Sequence, residues 1–304
     1  MIDIKNKKIF VTGGEGFIGS HLVKLLTSKG ANIKTYDMKK NNKNSILDMD
    51  RMLEAMNDCN YVIHLAATIG VGNTEKNQLL TLNTNILGTK NVLDCCISAG
   101  IKKIVFSSSS EVYGEQIKQP IEETNPLSPK SSYGIAKLAS EEYIKAYNKY
   151  FGLNYSIVRL FNAYGPEQRN NFVVSKFVNS VLNYEPPTIY GNGSQIRSFC
   201  YVDDIVNGIY LALVNEKADG EIFNIGNNKE PISIRDLAIK VMKLYGRMMP
   251  LTKVDFKDSD RDNKREIFVR VPDITKARNS LGYEPKVMLD EGIKKTIEHW
   301  EERV

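Results

Sequence analysis

The chain is poor in the residues that metal and disulfide chemistry need. Its three histidines, His21, His64 and His299, stand singly along 304 residues and form no ligand set or catalytic pair. The four cysteines, Cys59, Cys95, Cys96 and Cys200, show no C-x-x-C or Cys/His spacing. This excludes a zinc site and a disulfide framework, and all four read as reduced residues of the interior. No apolar run approaches the ~18 residues of a membrane span, and the opening Met-Ile-Asp-Ile-Lys-Asn-Lys-Lys holds no signal-peptide core, so a cytoplasmic protein without a membrane partner is expected. Charge is not blocked either. Lys and Arg total 41 against 36 Asp and Glu, a net +5 spread along the chain. Such a balance demands no nucleic-acid partner, but it suits an anionic small substrate. Repeats and low-complexity segments are absent. Hydrophobic residues at 42% and charged residues at 25% are ordinary for a globular chain.

What the sequence does have is a strand, a glycine turn and a helix near its start. Ile9 to Thr12 is apolar and β-branched; Gly13, Gly14, Gly16 and Gly19 come at once; then Phe17, Ile18, Leu22, Val23, Leu25 and Leu26 recur at helical spacing. Gly14, Gly16 and Gly19 fit G-x-G-x-x-G in the context that gives it meaning: a turn with positive φ, a backbone approached by a pyrophosphate, and a helix packed closely on a strand. The pyrophosphate would sit at the helix N-terminus, where free N–H groups and the helix dipole favour an anion. Asp37 ends the next apolar run about 20 residues on, where a carboxylate reads ribose hydroxyls. The expected ligand is a dinucleotide, held by Gly13, Gly16, Phe17, Ile18, Gly19 and Asp37.

Further along, strands alternate with helices. Apolar strand-like runs at 61–67, 103–107 and 155–160 are separated by helical patterns at 85–100 and 133–150. Continuously apolar strands between helices predict an α/β fold, a doubly wound parallel sheet of the Rossmann kind covered on both faces. Beyond 162 the regularity breaks, with a helix at 173–182, a short strand and hairpin-like loop at 189–193, helices at 202–214 and 234–245, a basic-acidic loop at 257–270 and a closing helix at 289–300. This predicts a dinucleotide domain over 1–163, rejoined by about 198–225, and a smaller, irregular α/β substrate lobe over 164–304. The lobe should face the carboxyl ends of the strands.

Tyr133-x-x-x-Lys137 sets a phenol and a cation one helical turn apart. The cation should lower the phenol's pKa and make it a base at neutral pH. The serine run Ser107 to Ser110, with Glu111 next in sequence, ends the preceding strand and should face the cofactor. With these residues in hand, the chain resembles the extended short-chain dehydrogenase/reductases, specifically the nucleotide-sugar epimerases, dehydratases and decarboxylases. The motifs that carry the resemblance are Thr12-Gly-Gly-Glu-Gly-Phe-Ile-Gly19, His64-Leu-Ala-Ala67, Ser108-Ser-Ser-Glu-Val-Tyr-Gly114, Tyr133-x-x-x-Lys137, Arg159-Leu-Phe-Asn-Ala-Tyr-Gly-Pro166, Arg197-Ser-Phe-Cys-Tyr-Val-Asp-Asp204 and Phe223-Asn-Ile-Gly226. They span nearly the whole sequence.

The resemblance implies NAD as cofactor and a nucleoside-diphosphate sugar as substrate. It implies that Asp48 and Met49 edge the adenine, that Leu65, Ala66 and Ala67 pass beside the cofactor, that Asn85 holds the nearby strand-helix junction, and that Lys137 binds the nicotinamide ribose. Ser109 matches the family's catalytic hydroxyl and Tyr133 its base at the sugar O4. Asn162, the segment 171–176 with Val174, Tyr190 and Arg197 would grip the nucleotide sugar. A second diphosphate arginine is Arg265 or Arg261, in a loop that departs from the usual Arg-Pro-Gly pattern. Arginine also suits a diphosphate physically, as a planar and permanently charged donor. In the resembling family the 85–100 and 133–150 helices form a dimer interface, so a homodimer is expected.

The shared first step makes a 4-keto sugar, and the second step separates epimerase, dehydratase and decarboxylase. The pair Ser110-Glu111 resembles that of UDP-glucuronate decarboxylases and some GDP-sugar dehydratases. The stretch from Gly193 to Tyr201 also resembles the decarboxylases, although the loop after Thr68 does not. Elimination chemistry is the reading, with 4-epimerisation as the alternative and a cofactor-binding sensor without activity as a rival that the Ser109, Tyr133, Lys137 set opposes.

Overall fold

The structure is a computed structural model that describes residues 1–70, 74, 76–255 and 266–303. Six strands form one parallel sheet: β1 (Lys8–Thr12), β2 (Asn32–Tyr36), β3 (Tyr61–His64), β4 (Lys103–Ser109), β5 (Asn154–Leu160) and β6 (Glu221–Ile225). Their spatial order is β6-β5-β4-β3-β1-β2. The chain leaves β1 for β2 on one side and returns to β3 on the other, which opens a crevice at the carboxyl ends of β1 and β3. Among the described residues, the eight helices of eight residues or more are α1 (Phe17–Ser28), α2 (Met49–Met56), α3 (Gly88–Ser98), α4 (Ser132–Phe151), α5 (Val173–Leu182), α6 (Val202–Val214), α7 (Ile234–Tyr245) and α8 (Leu289–Glu301).

Alternate strand residues go to opposite cores. Ile9, Val11, Ile63, Val105 and Val158 join Leu22 and Leu26 of α1 and Val206 and Ile209 of α6. Phe10, Val62, Ile104, Phe106 and Ile157 join Met52 and Met56 of α2, Val92 and Cys96 of α3, and Ile144 and Tyr147 of α4. All seven residues of β4 are buried, because both faces of the sheet are covered. Segment 202–225 returns to this body: α6 packs on α1, and β6 pairs with β5 from Glu221↔Ser156 to Ile225↔Leu160.

The first core continues into Phe177, Leu237 and Ile293 of α5, α7 and α8, so both parts of the chain share one apolar interior. In the later part Ile196–Arg197 lies between Ile232–Ser233 and Val269–Arg270. The expected loop over 257–270 therefore ends in a strand; residues 256–265, including both Arg261 and Arg265, lie outside the described residues. Thr188–Tyr190 pairs in parallel with Thr252–Val254, far along the chain, and does not fold back as a hairpin. The helix expected at 85–100 begins earlier, with Gln78–Leu82 and a π-helical turn at Asn83–Leu87 leading into α3. Among the described residues no helix is long and apolar enough to cross a membrane.

Candidate active site

One cavity of about 1090 Å³ runs from the crevice between β1 and β3 to the short strands of the later part. Its floor at the β1 end is glycine. Gly13 has φ +73°, and a Cβ there would lie 2.8 Å from the Ala66 nitrogen; a Cβ on Gly19 would lie 2.1 Å from the Gly13 carbonyl oxygen. No side chain caps the first turn of α1, and no acid stands in it. Bare backbone and free N–H groups are the cradle a pyrophosphate needs, so the residues fit a dinucleotide. Phe17, Ile18, Leu65, Ala66 and Ala67 line the same end. Asp37 accepts from the Glu15 amide at 3.0 Å and from the Lys39 amide at 2.8 Å, which fixes its carboxylate at the rim.

Three expected cofactor residues stand back from the wall. Asp48 accepts from the Arg51 amide as the N-cap of α2, and neither it nor Met49 reaches the cavity, where Ser45 and Ile46 stand instead. Capping engages one oxygen of the Asp48 carboxylate, Oδ1, at 3.1 Å. Asn85 acts from behind the wall: its Oδ1 accepts from the Thr68 amide at 2.7 Å and its Nδ2 donates to the Thr68 carbonyl at 3.1 Å, clasping the loop after β3.

In mid-cavity the end of β4 faces α4. Tyr133 and Ser109 share a hydrogen bond, and the Lys137 ammonium donates to the Ser107 carbonyl at 2.6 Å. Burial pushes Lys137 down to about 7, against the opposing charge of Glu141. The phenol does not behave as the sequence suggested. Burial, then the charge of Glu111, push the Tyr133 pKa up, and the Ser109 hydrogen bond only partly opposes them. Lys137 lies 5.7 Å over the ring, against its face. In these surroundings Tyr133 is a neutral hydroxyl, so ionising it needs positive charge beyond what these side chains supply.

The far side of the serine loop holds a residue that the sequence reading missed. Arg270 donates through Nη2 to Glu111 Oε1 at 2.7 Å and through Nη1 to Ser110 Oγ at 3.5 Å, while its buried Nε has no partner among the described residues. Although burial opposes it, the charge and hydrogen bond of Arg270, with Ser131 Oγ donating at 3.0 Å, hold the Glu111 carboxyl below its usual range. Arg270 is the register partner of Arg197 on neighbouring strands. Arg197 Nη2 donates to Glu266 Oε1 at 2.8 Å. A lone cation within the apolar run Ile267-Phe-Val-Arg-Val271 is the signal that could have found Arg270. Asn162, Val174, Tyr190 and Arg197 all line the cavity; the buried Asn162 Oδ1 has no partner among the described residues, and Lys176 Nζ donates to the Tyr190 hydroxyl at 3.3 Å.

A glycine cradle at a parallel-sheet switch point, opening onto a Tyr-Lys-Ser cluster, matches a family model described as the NAD dependent epimerase/dehydratase family over residues 9–226. The chain belongs to this family. It is 37% identical to a putative UDP-glucose 4-epimerase of Methanocaldococcus jannaschii, over 95% of this chain and 97% of that protein. It is 34% identical to a UDP-N-acetyl-alpha-D-glucosaminuronate decarboxylase of Bacillus cytotoxicus, over 97% and 98%. It also superposes on the structure of MoeE5 in complex with UDP-glucuronic acid and NAD with a TM-score of 0.90, at 27% identity, over 98% of this chain and all of that one. The protein is therefore an NAD-dependent nucleotide-sugar enzyme of the epimerase, dehydratase and decarboxylase group.

Proposed function

We propose that within this family the chain decarboxylates a nucleoside-diphosphate uronic acid. The observation that carries the reading is Arg270, a guanidinium in the cavity wall whose Nη1 makes only a long contact, 3.5 Å, to Ser110 Oγ. A sugar carboxylate would replace that contact with a charge-assisted bond, which a neutral sugar could not supply. The likeness to a uronate decarboxylase and to a structure holding UDP-glucuronic acid supports the same substrate class.

In this reading Gly13, Gly16, Gly19 and Asp37 hold the dinucleotide, which when bound supplies the hydride acceptor and a cationic ring. Tyr133 takes the proton of the sugar 4-hydroxyl, Ser109 hydrogen-bonds the same oxygen, and Lys137 holds positive charge beneath them. Arg270 binds the uronate carboxylate, and Glu111 orients the guanidinium through its bond to Nη2. Once C4 is a ketone the sugar is a β-keto acid. Its carboxylate leaves as carbon dioxide with the C5 bond electrons passing to the ketone, so Glu111 need not accept a proton. Arg197 binds the diphosphate. The test is incubation with UDP-glucuronic acid, its 2-acetamido analogue and UDP-glucose, monitored by carbon dioxide release and product NMR. Release from a uronate is expected; a C4 epimer with no gas evolved would favour 4-epimerisation, as in the M. jannaschii relative's name.

The two-part division is supported by the return of α6 and β6 to the sheet, with 164–304 otherwise supplying the sugar end. A homodimer is supported by exposed apolar residues beside or on α3 and α4: Leu79 at 77%, Tyr150 at 73% and Phe151 at 61%. Light scattering at micromolar concentration should give twice the chain mass, and a monomer would refute it. Four buried, free thiols are consistent with a cytoplasmic location.

A further inference from the structure

Tyr133, Lys137 and Glu141 recur at four-residue steps along α4 and so form one stripe. The last serines of β4 meet that stripe one by one. Ser107 accepts from Lys137 through its carbonyl, Ser109 bonds Tyr133, and Ser108 Oγ donates to Glu141 Oε1 at 2.5 Å. Glu141 is fully buried and does not reach the cavity. Behind it stands Arg159, the register partner of Ser108 on β5. Its guanidinium is bidentate on Glu141, Nε to Oε1 at 3.0 Å and Nη2 to Oε2 at 2.7 Å. Nη1 of Arg159 donates to the Tyr113 hydroxyl at 2.9 Å, which in turn donates to Asn224 Oδ1 at 2.7 Å on β6. One buried charge pair thus joins α4 to three neighbouring strands.

We propose that Glu141, clamped by Arg159, is a positioning residue for the reaction: it locks the strand end that carries Ser109 onto the helix stripe that carries Tyr133 and Lys137, and supplies an anion one turn from the lysine. The proposal rests on the roles of Ser109, Tyr133 and Lys137 at the sugar 4-hydroxyl. Few other groups compete for influence over Lys137. Tyr133 on the same helix is a neutral phenol; β4 offers only the Ser107 carbonyl and the Phe106 ring, 4.6 Å away; from β3, His64 is held uncharged by burial; and Arg159 on β5 faces Glu141. A buried ion pair is not needed for stability as such, since apolar replacements of both partners are often tolerated, whereas loss of one leaves a bare charge.

The experiment compares three variants, as full chains with NAD and the substrate that the wild-type protein turns over, across the neutral to alkaline range. Ser108→Ala keeps the ion pair and breaks only the tie to the strand; kcat should fall several-fold with KM, NAD affinity and the alkaline limb unchanged. Glu141→Gln and the double variant Glu141→Leu with Arg159→Met remove the anion. In both, kcat should fall on the order of tenfold, and the alkaline limb should move to lower pH by about one unit, because Lys137 loses its opposite charge. The double variant keeps the test valid if the buried, unpaired Arg159 prevents Glu141→Gln from folding. A folded double variant with the wild-type pH profile, or Ser108→Ala with wild-type kcat, overturns the proposal. If Tyr133→Phe itself retains turnover, the underlying reading has failed instead.

Discussion

Tyr133 sits where three influences meet: burial and the Glu111 charge raise its pKa, and a Ser109 hydrogen bond lowers it. Only its oxygen separates it from phenylalanine in chemistry, and its ring packs near Lys137 in either case. Tyr133→Phe should therefore bind NAD as the wild type does while losing turnover by on the order of 10²-fold or more, read from steady-state rates beside a dinucleotide titration. Most activity surviving would mean that another group is the base. Arg270 makes a second prediction at this scale. Arg270→Gln removes the charge that would face a uronate and should raise its KM about 10- to 100-fold, the worth of a charge-assisted hydrogen bond. The variant also strips Glu111 of its guanidinium, so its carboxyl should titrate upward. An unchanged KM would remove Arg270 from substrate binding.

At the scale of elements, the strand, glycine turn and helix at the start were legible because their logic is local. Gly13 and Gly19 are forced by contacts within their own turn and with Ala66 on the next loop. Asp37 likewise ends β2 as expected, and its two held oxygens argue for a preference. A 2′-phosphate would meet a carboxylate fixed by the Glu15 and Lys39 amides. The lysines that could offset it are engaged: Lys39 Nζ donates to the Glu15 carbonyl at 3.0 Å and Lys40 Nζ to Thr35 Oγ1 at 3.0 Å. Titration of cofactor-free protein should give tighter binding of NAD than NADP, and equal affinities would refute the assignment. What could not be read was set at long range. Arg270 gains its meaning from a strand pairing with Ile196–Arg197, a distant stretch of the chain, which no local pattern encodes. Asp48 caps a helix as well as standing near the expected adenine end, a second duty that the sequence pattern did not distinguish, since one carboxylate at a helix start serves for a cap as well as for a ligand. The Tyr133 pKa failed because helical spacing gives the Lys137 neighbour but not burial or the Glu111 charge.

Across the whole molecule, burial of an ionisable ring inside the sheet makes the fold sensitive to acid. His64, 1% exposed at the end of β3, lies between Thr12 Oγ1 of β1 at 2.7 Å and Thr89 Oγ1 of α3 at 3.1 Å. Burial, with the Lys137 charge, pushes its pKa from 6.5 to about 3. Between those values the unfolded chain binds a proton that the native chain refuses, so this group's contribution is present above pH 6.5 and is lost as pH falls toward about 3. One such group changes stability by at most about 1.4 kcal/mol per pH unit. Protonation would add a second cation near Lys137 and remove the ring's acceptor at the point where β1, β3 and α3 join, so unfolding should be cooperative across the sheet. His64→Asn keeps an amide donor and acceptor without the titration. It should be less stable than wild type at neutral pH, where the imidazole fits its two hydroxyls, yet lose less stability on acidification. Urea midpoints of both proteins from neutral pH down to mild acid measure the two slopes. A steeper wild-type slope is expected, and parallel slopes would mean that acid sensitivity arises from other groups.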